Sequence, residues 1–211
     1  FDVASAYQQA LALRALRMTR GEQPRGYKIG FTNRSIWPLY GVFAPIWGTV
    51  WSTTLTLSDG EAAVSLAGTC QPRLEPEAVF GLRAVPAPGA SLDALFDAID
   101  WVAPGFEVVQ SHLPGWKFRA ADTVADGALH ARLLVGRPLP VRDVASGAAE
   151  LEQALASASV TLHRDGVPVE EGRGANVLDG PLHALAHFVH ELRACPGATD
   201  LKPGDVVTTG T

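Results

Sequence analysis

The stretch Gln71-Pro72-Arg73-Leu74-Glu75-Pro76-Glu77-Ala78-Val79-Phe80 sets two carboxylates two residues apart and runs straight into an apolar segment. Read as a strand, it puts residues i and i+2 on one face, so Glu75 and Glu77 converge on a single point. Like charges held that close repel, and a bound cation is the commonest way to make the arrangement favourable. Alternate glutamates on a strand also commonly face water, so the pair alone is a weak motif. Pro76 between them fits an edge strand or a bulge, where a strand can aim side chains into a site.

Further residues of the right chemistry lie on both sides. Glu107 stands in Gly105-Phe106-Glu107-Val108-Val109, among apolar neighbours that a glutamate tolerates when it is paired or ligated. Three carboxylates, with the remaining positions left to water and substrate, describe a Mg²⁺ or Mn²⁺ site better than zinc, which prefers His and Cys. Lys28 sits in the glycine-bracketed strand Gly26-Tyr27-Lys28-Ile29-Gly30. Its head either reaches water at a sheet edge or is held at a charged site, where it could move a proton or pair with an anionic substrate.

Around these residues, strands outnumber helices. Extended segments are predicted at Tyr27 to Phe31, Val50 to Leu57, Phe106 to Val109, Lys117 to Ala121, Leu133 to Val135, Val160 to His163 and near Val206-Val207, with Pro38 to Gly48 a loop. Asp165-Gly166 reads as a hairpin turn. Helical periodicity predicts helices over Ala4 to Met18, from the N-cap Ser91 to Ile99, and over Pro181 to Ala194. Strands and helices do not alternate regularly. The pattern is that of an α+β domain with a mixed or antiparallel β core and peripheral helices, not a doubly wound sheet.

Composition excludes several classes of function. The 211 residues are 47% hydrophobic, enough for one sizeable core, and the formal net charge of -5 offers no general attraction to nucleic acid or to an anionic membrane. No apolar run reaches the roughly 20 residues that a membrane span needs. Cys70 and Cys195 are too few for a disulfide framework and suit a reducing compartment, so a cytoplasmic location is expected. Residues 1–25 read as an N-terminal helical segment and 26–211 as a catalytic β domain. The chain has no initial Met and stops at Thr208-Thr209-Gly210-Thr211, inside what reads as strand and turn, so a truncated C-terminus is expected.

Other motifs carry less. His183, His187 and His190 could share a helix face, but no H-E-x-x-H pattern accompanies them and they read as structural. Gly172-Arg173-Gly174 lacks the third glycine and the strand-loop-helix setting of a dinucleotide loop. A P-loop and a G-x-S-x-G elbow are absent.

Taken in order, Gly26-Tyr27-Lys28-Ile29-Gly30-Phe31-Thr32, Pro72-Arg73-Leu74-Glu75-Pro76-Glu77, Ile99-Asp100-Trp101-Val102-Ala103-Pro104 with Glu107-Val108-Val109, Asp122-Thr123-Val124-Ala125-Asp126 and Lys202-Pro203-Gly204-Asp205-Val206-Val207 form a series. That series resembles the fumarylacetoacetate hydrolase superfamily, in its branch of 2-keto-4-pentenoate hydratases and 4-oxalocrotonate decarboxylases. The resemblance implies a mixed β-roll in which Glu75, Glu77 and Glu107 hold Mg²⁺ or Mn²⁺. It further implies that the metal chelates a small 2-oxo acid and stabilises its enolate. Lys28 matches the family lysine that shuttles the proton or holds the substrate carboxylate. A homo-oligomer, or a complex with a related lyase, is the assembly expected.

The departures from the family pattern bear on the reaction. Ile46 stands where hydratases usually carry an Asp, Gln110 and His112 alter the stretch after Glu107, and Gly127 replaces the usual Asn. His112 could supply the titratable group that Ile46 does not. Three readings follow: a metal-dependent hydratase or decarboxylase, an acylpyruvate-type carbon-carbon hydrolase, or a non-catalytic homologue that supports an active partner.

Overall fold

The computed structural model describes residues 1–211. Helix α1 (Val3–Thr19) precedes β1 (Pro24–Gly30), the single turn α2 (Trp37–Tyr40), β2 (Ile46–Trp51), β3 (Leu55–Leu57), β4 (Arg73–Leu82), α3 (Leu92–Ala98) and β5 (Ile99–Val109). Then come α4 (Ala120–Ala125), β6 (His130–Val135), β7 (Leu139–Pro140), α5 (Val141–Val144), α6 (Ala148–Ser157), β8 (Ser159–Arg164), β9 (Val167–Arg173), α7 (Pro181–Ala194) and β10 (Val206–Thr208).

Local chemistry sets the helix ends. The Asp2 carboxylate accepts from the Ser5 N–H to cap α1, and the Ser91 hydroxyl accepts from the Ala94 N–H to cap α3. Helix α7 starts on Pro181, where a missing N–H costs nothing, and buries Leu182, Leu185, Phe188, Val189 and Leu192 on one face.

The main sheet runs in the order β2-β1-β10-β4-β5-β6-β3, with β7 also paired to β5. The β1–β10 and β3–β6 pairs are parallel and the others antiparallel. The sheet is therefore mixed, and it curls into a half-barrel with helices against its outer face. The longest ladder, β4 on β5, runs from Arg73 opposite Val109 to Leu82 opposite Ile99.

Alternation along that ladder separates two environments. Phe80 and Val102 point outward into the largest core cluster, with Leu95 and Phe96 of α3 and Leu185 and Phe188 of α7. Each such fully buried side chain contributes ~1.5–3 kcal/mol relative to exposure. Val79 and Ala103 point the other way and pack with Val50, Leu133, Val135 and Val206. Glu75 and Glu77 share the Val79 face, so the carboxylates lie on the concave side, directly above this apolar floor.

The α+β class with peripheral helices is as expected, and so is the Asp165-Gly166 turn, where both residues take positive φ and close a two-residue hairpin. Three expectations are corrected. Lys117 to Ala121 is not a strand: Arg119 stands at the N-cap of α4, and Asp122 in its first turn accepts from the Arg119 N–H at 2.9 Å and from its guanidinium, which outweighs the apparent alternation. Val50 to Leu57 is two strands, because the Thr54 hydroxyl accepts from the Trp51 N–H and closes a turn between β2 and β3. Strand β2 begins at Ile46 and α2 occupies Trp37–Tyr40, both inside the segment read as loop. No helix is long and apolar enough to cross a membrane.

Candidate metal centre

The β4–β5 register places Glu75 directly opposite Glu107, and Glu77 opposite Gly105. Cross-strand partners and i, i+2 neighbours share a face, so three carboxylates converge from two strands. One oxygen from each lies within 4.8 Å of the others. Lys28 enters from β1, where it pairs with Thr208 of β10, whose other neighbour is Val79 of β4. Its ammonium reaches Glu107 Oε2 at 3.0 Å, with both side chains out of water. All four residues that the sequence nominated as metal ligands or lysine are thus brought together.

The charges do not balance. Three carboxylates against one ammonium leave two uncompensated negative charges, with Glu77 and Glu107 buried and Glu75 half-buried. Burial pushes the Glu77 carboxyl well above its usual range, and the Glu107 charge adds to that push; Lys28 opposes it. Burial likewise raises Glu107, up to about 7, with Lys28 pulling down and Glu75 pushing up. Burial alone would lower the Lys28 ammonium, but Glu107, Glu75 and Glu77 outweigh it and hold it above its ordinary value.

A strained turn completes the lysine's surroundings. Gly127, Ala128 and Leu129 all take left-handed φ, of 67°, 56° and 64°, costing of order 1–3 kcal/mol for each non-glycine residue. The Ala128 carbonyl thereby accepts from Lys28 Nζ at 3.0 Å. Gly48 on β2 makes room, since a Cβ there would lie 2.2 Å from the Gly127 carbonyl oxygen. Gly30 serves similarly: its missing Cβ would sit 3.2 Å from Ile46 Cγ1 and 3.3 Å from Lys28 Nζ. Ile46 therefore flanks the ammonium, buried with Ala6, Ala121, Val124 and Ala128.

Several neighbours were not singled out in the sequence. His130, the first residue of β6, contacts Glu107 Oε1 through Nδ1 at 2.7 Å and Thr54 Oγ1 through Nε2 at 2.8 Å. Burial, reinforced by the Lys28 charge, lowers its pKa to about 3, so the ring is neutral and the Glu107 contact is a hydrogen bond rather than an ion pair. A histidine opening the apolar run Ala131 to Val135 was the available signal. The Gly210 N–H donates to Glu77 Oε2 at 2.9 Å.

His112 does not join the cluster. Its half-exposed ring holds Asp126 Oδ1 at 2.7 Å. It lines a cavity of about 140 Å³ with Arg14, Arg17, Trp47, Gln110 and Asp126, and His130 also reaches that cavity. Gln110 is occupied structurally, its Oε1 accepting from the Cys70 N–H. His183 and His187 lie beside Glu152 and Asp179 on the outer side of the protein, and Cys70 and Cys195 are free thiols.

The donor set fits a divalent cation. Glu77 Oε1 and Thr208 Oγ1 are buried without a hydrogen-bond partner, and Glu107 Oε2 meets Lys28 at ion-pair distance but out of hydrogen-bond alignment. Orphaned buried acceptors of this kind imply a missing positive partner. Both nitrogens of His130 are engaged elsewhere, so the available donors are oxygens, the preference of Mg²⁺, Mn²⁺ and Ca²⁺.

No protein-family model matches the chain. Characterised relatives do. It is 34% identical over 211 residues to 2-hydroxyhexa-2,4-dienoate hydratase of Comamonas testosteroni, covering 99% of this chain and 75% of the relative. It is 33% identical to 2-keto-4-pentenoate hydratase of Burkholderia vietnamiensis, covering 99% and 76%. Among solved structures, 4-oxalocrotonate decarboxylase from Pseudomonas putida G7, complexed with magnesium and adipate, superposes with a TM-score of 0.87 at 28% identity, over 100% of this chain and 76% of that one. With the oxygen-lined half-barrel described above, these likenesses show that the chain belongs to the family of 2-keto-4-pentenoate hydratases and 4-oxalocrotonate decarboxylases.

Proposed function

We propose that the chain is a divalent-cation-dependent lyase acting on a small 2-oxo or 2-enol acid, a hydratase of the 2-keto-4-pentenoate type in the breakdown of aromatic compounds. The observation that carries this reading is the convergence of Glu75, Glu77 and Glu107 within 4.8 Å, with the Lys28 ammonium 3.0 Å from Glu107 and with Lys28, Glu77 and Glu107 buried. Mg²⁺ or Mn²⁺ is the proposed cation, supported by the carboxylate donor set and by the cation in the decarboxylase structure.

When bound, the cation supplies fixed positive charge where negative charge develops on the 2-oxo oxygen as a proton leaves or joins the adjacent carbon. Glu75, Glu77 and Glu107 hold it, and the Gly210 N–H fixes Glu77. Ile46 beside the ammonium has no proton to give, so Lys28 is the group proposed to move that proton. The carboxylates that now hold its proton would be neutralised in the loaded site, which brings the ammonium back toward a pKa at which it can exchange. The Ala128 carbonyl keeps it aimed. His112 on Asp126 is proposed to exchange protons with solvent at the neighbouring cavity, a supporting role only.

Exposed Leu39, Phe43 and Val167 support a homo-oligomer, the assembly proposed in preference to a mixed complex with a related lyase. The free thiols support a reducing, cytoplasmic setting. The test of the function is an ultraviolet assay in Mg²⁺ or Mn²⁺ on three substrates. Turnover of 2-hydroxypenta-2,4-dienoate is the expected result. Turnover of 4-oxalocrotonate alone would make the chain a decarboxylase, and cleavage of acetylpyruvate alone would make it a carbon-carbon hydrolase. Cation binding with no turnover would favour the non-catalytic homologue, to which the Ile46 position lends weight.

A further inference from the structure

Glu107 is the one carboxylate of the cluster gripped on both oxygens by other side chains: Lys28 lies at Oε2 and His130 Nδ1 at Oε1. The far side of the imidazole is equally defined, with Nε2 2.8 Å from the Thr54 hydroxyl. That hydroxyl also accepts from the Trp51 N–H at 3.1 Å and has its single proton to give either to Nε2 or to the Trp51 carbonyl at 3.2 Å. Were the proton given to Trp51, His130 would carry its own hydrogen on Nε2, and its bare Nδ1 would face the lone pairs of an ionised Glu107 at 2.7 Å. With Glu107 ionised, as a cation ligand is, and the imidazole neutral, the arrangement that avoids that repulsion has Thr54 donating to Nε2 and Nδ1–H donating to Glu107.

We propose that His130, locked in this tautomer by Thr54, is a positioning residue that sets the rotamer of Glu107 and turns Oε2, the oxygen that meets Lys28, toward the cation. The proposal rests on reading the three glutamates as cation ligands. It assigns a role to a position that the family-like motifs do not mark, in the same segment in which Gly127 replaces the family's Asn. The chain is suited to deliver it. The left-handed turn over Gly127, Ala128 and Leu129 places His130 at the start of β6, and β6 pairs with β5 through Leu133 opposite Glu107. Thr54 is held in turn by the closed turn between β2 and β3. Hydrogen bonds of this kind to a ligating carboxylate govern affinity without touching the metal, and their loss typically costs ten- to hundredfold.

The test uses the full chain, first stripped with chelator. Mg²⁺ and Mn²⁺ affinities are measured calorimetrically for the parent, His130→Ala, Thr54→Val and Thr54→Ser, alongside the melting temperature of each metal-free protein. His130→Ala is expected to bind ten- to hundredfold more weakly. Thr54→Val should weaken binding to a smaller extent, with Thr54→Ser restoring it because the hydroxyl is kept. Should His130→Ala fail to fold, the Thr54 pair carries the comparison. Independently, ¹⁵N imidazole spectra of the Mg²⁺-loaded parent should show His130 protonated on Nδ1 and bare on Nε2. Affinities within twofold of the parent despite lower melting temperatures would reduce His130 to a packing residue, and an Nε2–H tautomer would overturn the proposal outright. A parent that binds neither cation would overturn the cation reading itself; a parent that binds, with variants that bind equally, would overturn only this role.

Discussion

Lys28 and Glu107 come from strands that are not neighbours in the sheet, yet they meet at 3.0 Å with neither side chain exposed to water. A lysine is seldom buried without a partner, and here a single ammonium answers three carboxylates. The pair therefore makes the site foldable without a cation and leaves it short of positive charge.

Lys28→Met removes the ammonium and keeps much of its length. Turnover is expected to fall by about 10²- to 10⁴-fold, the usual worth of a positioned acid or base. Cation affinity should be equal or higher, because a competing positive charge is gone. The metal-free protein should lose about 3–5 kcal/mol, as when one partner of a buried pair is deleted. Parallel loss of affinity and turnover would place Lys28 in the ligand shell or the fold instead. His112→Asn, outside the cluster, should lower turnover far less.

Glu77→Gln keeps the shape of a side chain whose Oε1 has no hydrogen-bond partner, and removes a buried charge. In chelator, the variant is expected to melt at a higher temperature than the parent, since an unpaired buried charge opposes folding. Adding Mn²⁺ should then raise the parent's melting temperature and leave the variant's where it was. Equal response of both to Mn²⁺ would count against Glu77 as a ligand.

Gly48→Ala drives a methyl group to 2.2 Å from the Gly127 carbonyl oxygen. Either the turn or β2 must move, costing about 1–3 kcal/mol, and the Ala128 carbonyl is drawn off Lys28. Turnover is expected to fall more than stability explains, while cation affinity holds. A fully active Gly48→Ala would show that the strained turn does not aim the lysine.

Arg17 holds Glu22 with two hydrogen bonds, and Thr53, next to Thr54, donates to the same carboxylate. The Arg17 hydrogen bonds hold the Glu22 pKa below its usual value, with burial opposing them. A carboxyl lowered in the folded state stabilises the fold above its unfolded pKa, near 4.5, and loses that contribution as pH falls through the folded value. Glu22→Gln should therefore cost up to about 1 kcal/mol at pH 7, discounted for solvent screening, and progressively less below about pH 4.5. Chemical denaturation of both proteins at pH 7 and pH 3 measures the difference, and a cost that stays constant with pH would contradict it.

The parts of the site that could be read in the sequence are those carried by period-two patterning. Glu75 and Glu77 share a face by spacing alone, and Glu107 advertised itself by standing among Phe106, Val108 and Val109. What period cannot give is register: only the pairing of Glu75 with Glu107 converts three glutamates into one site. His130 was hidden for the same reason, since its partners Glu107 and Thr54 lie 23 and 76 residues away. Helix α7 was legible because five apolar residues repeat on one face, whereas the Phe118 segment mimics a strand until the Asp122 cap is recognised.

The most direct test of the central claim is a calorimetric titration of the chelator-stripped chain with Mn²⁺, with Glu77→Ala as control. The structure predicts one Mn²⁺ per chain, and no binding to Glu77→Ala while its circular dichroism stays that of the parent. A parent that takes up no Mn²⁺, or a Glu77→Ala that binds as tightly as the parent, would contradict the assignment of Glu75, Glu77 and Glu107 as a cation site.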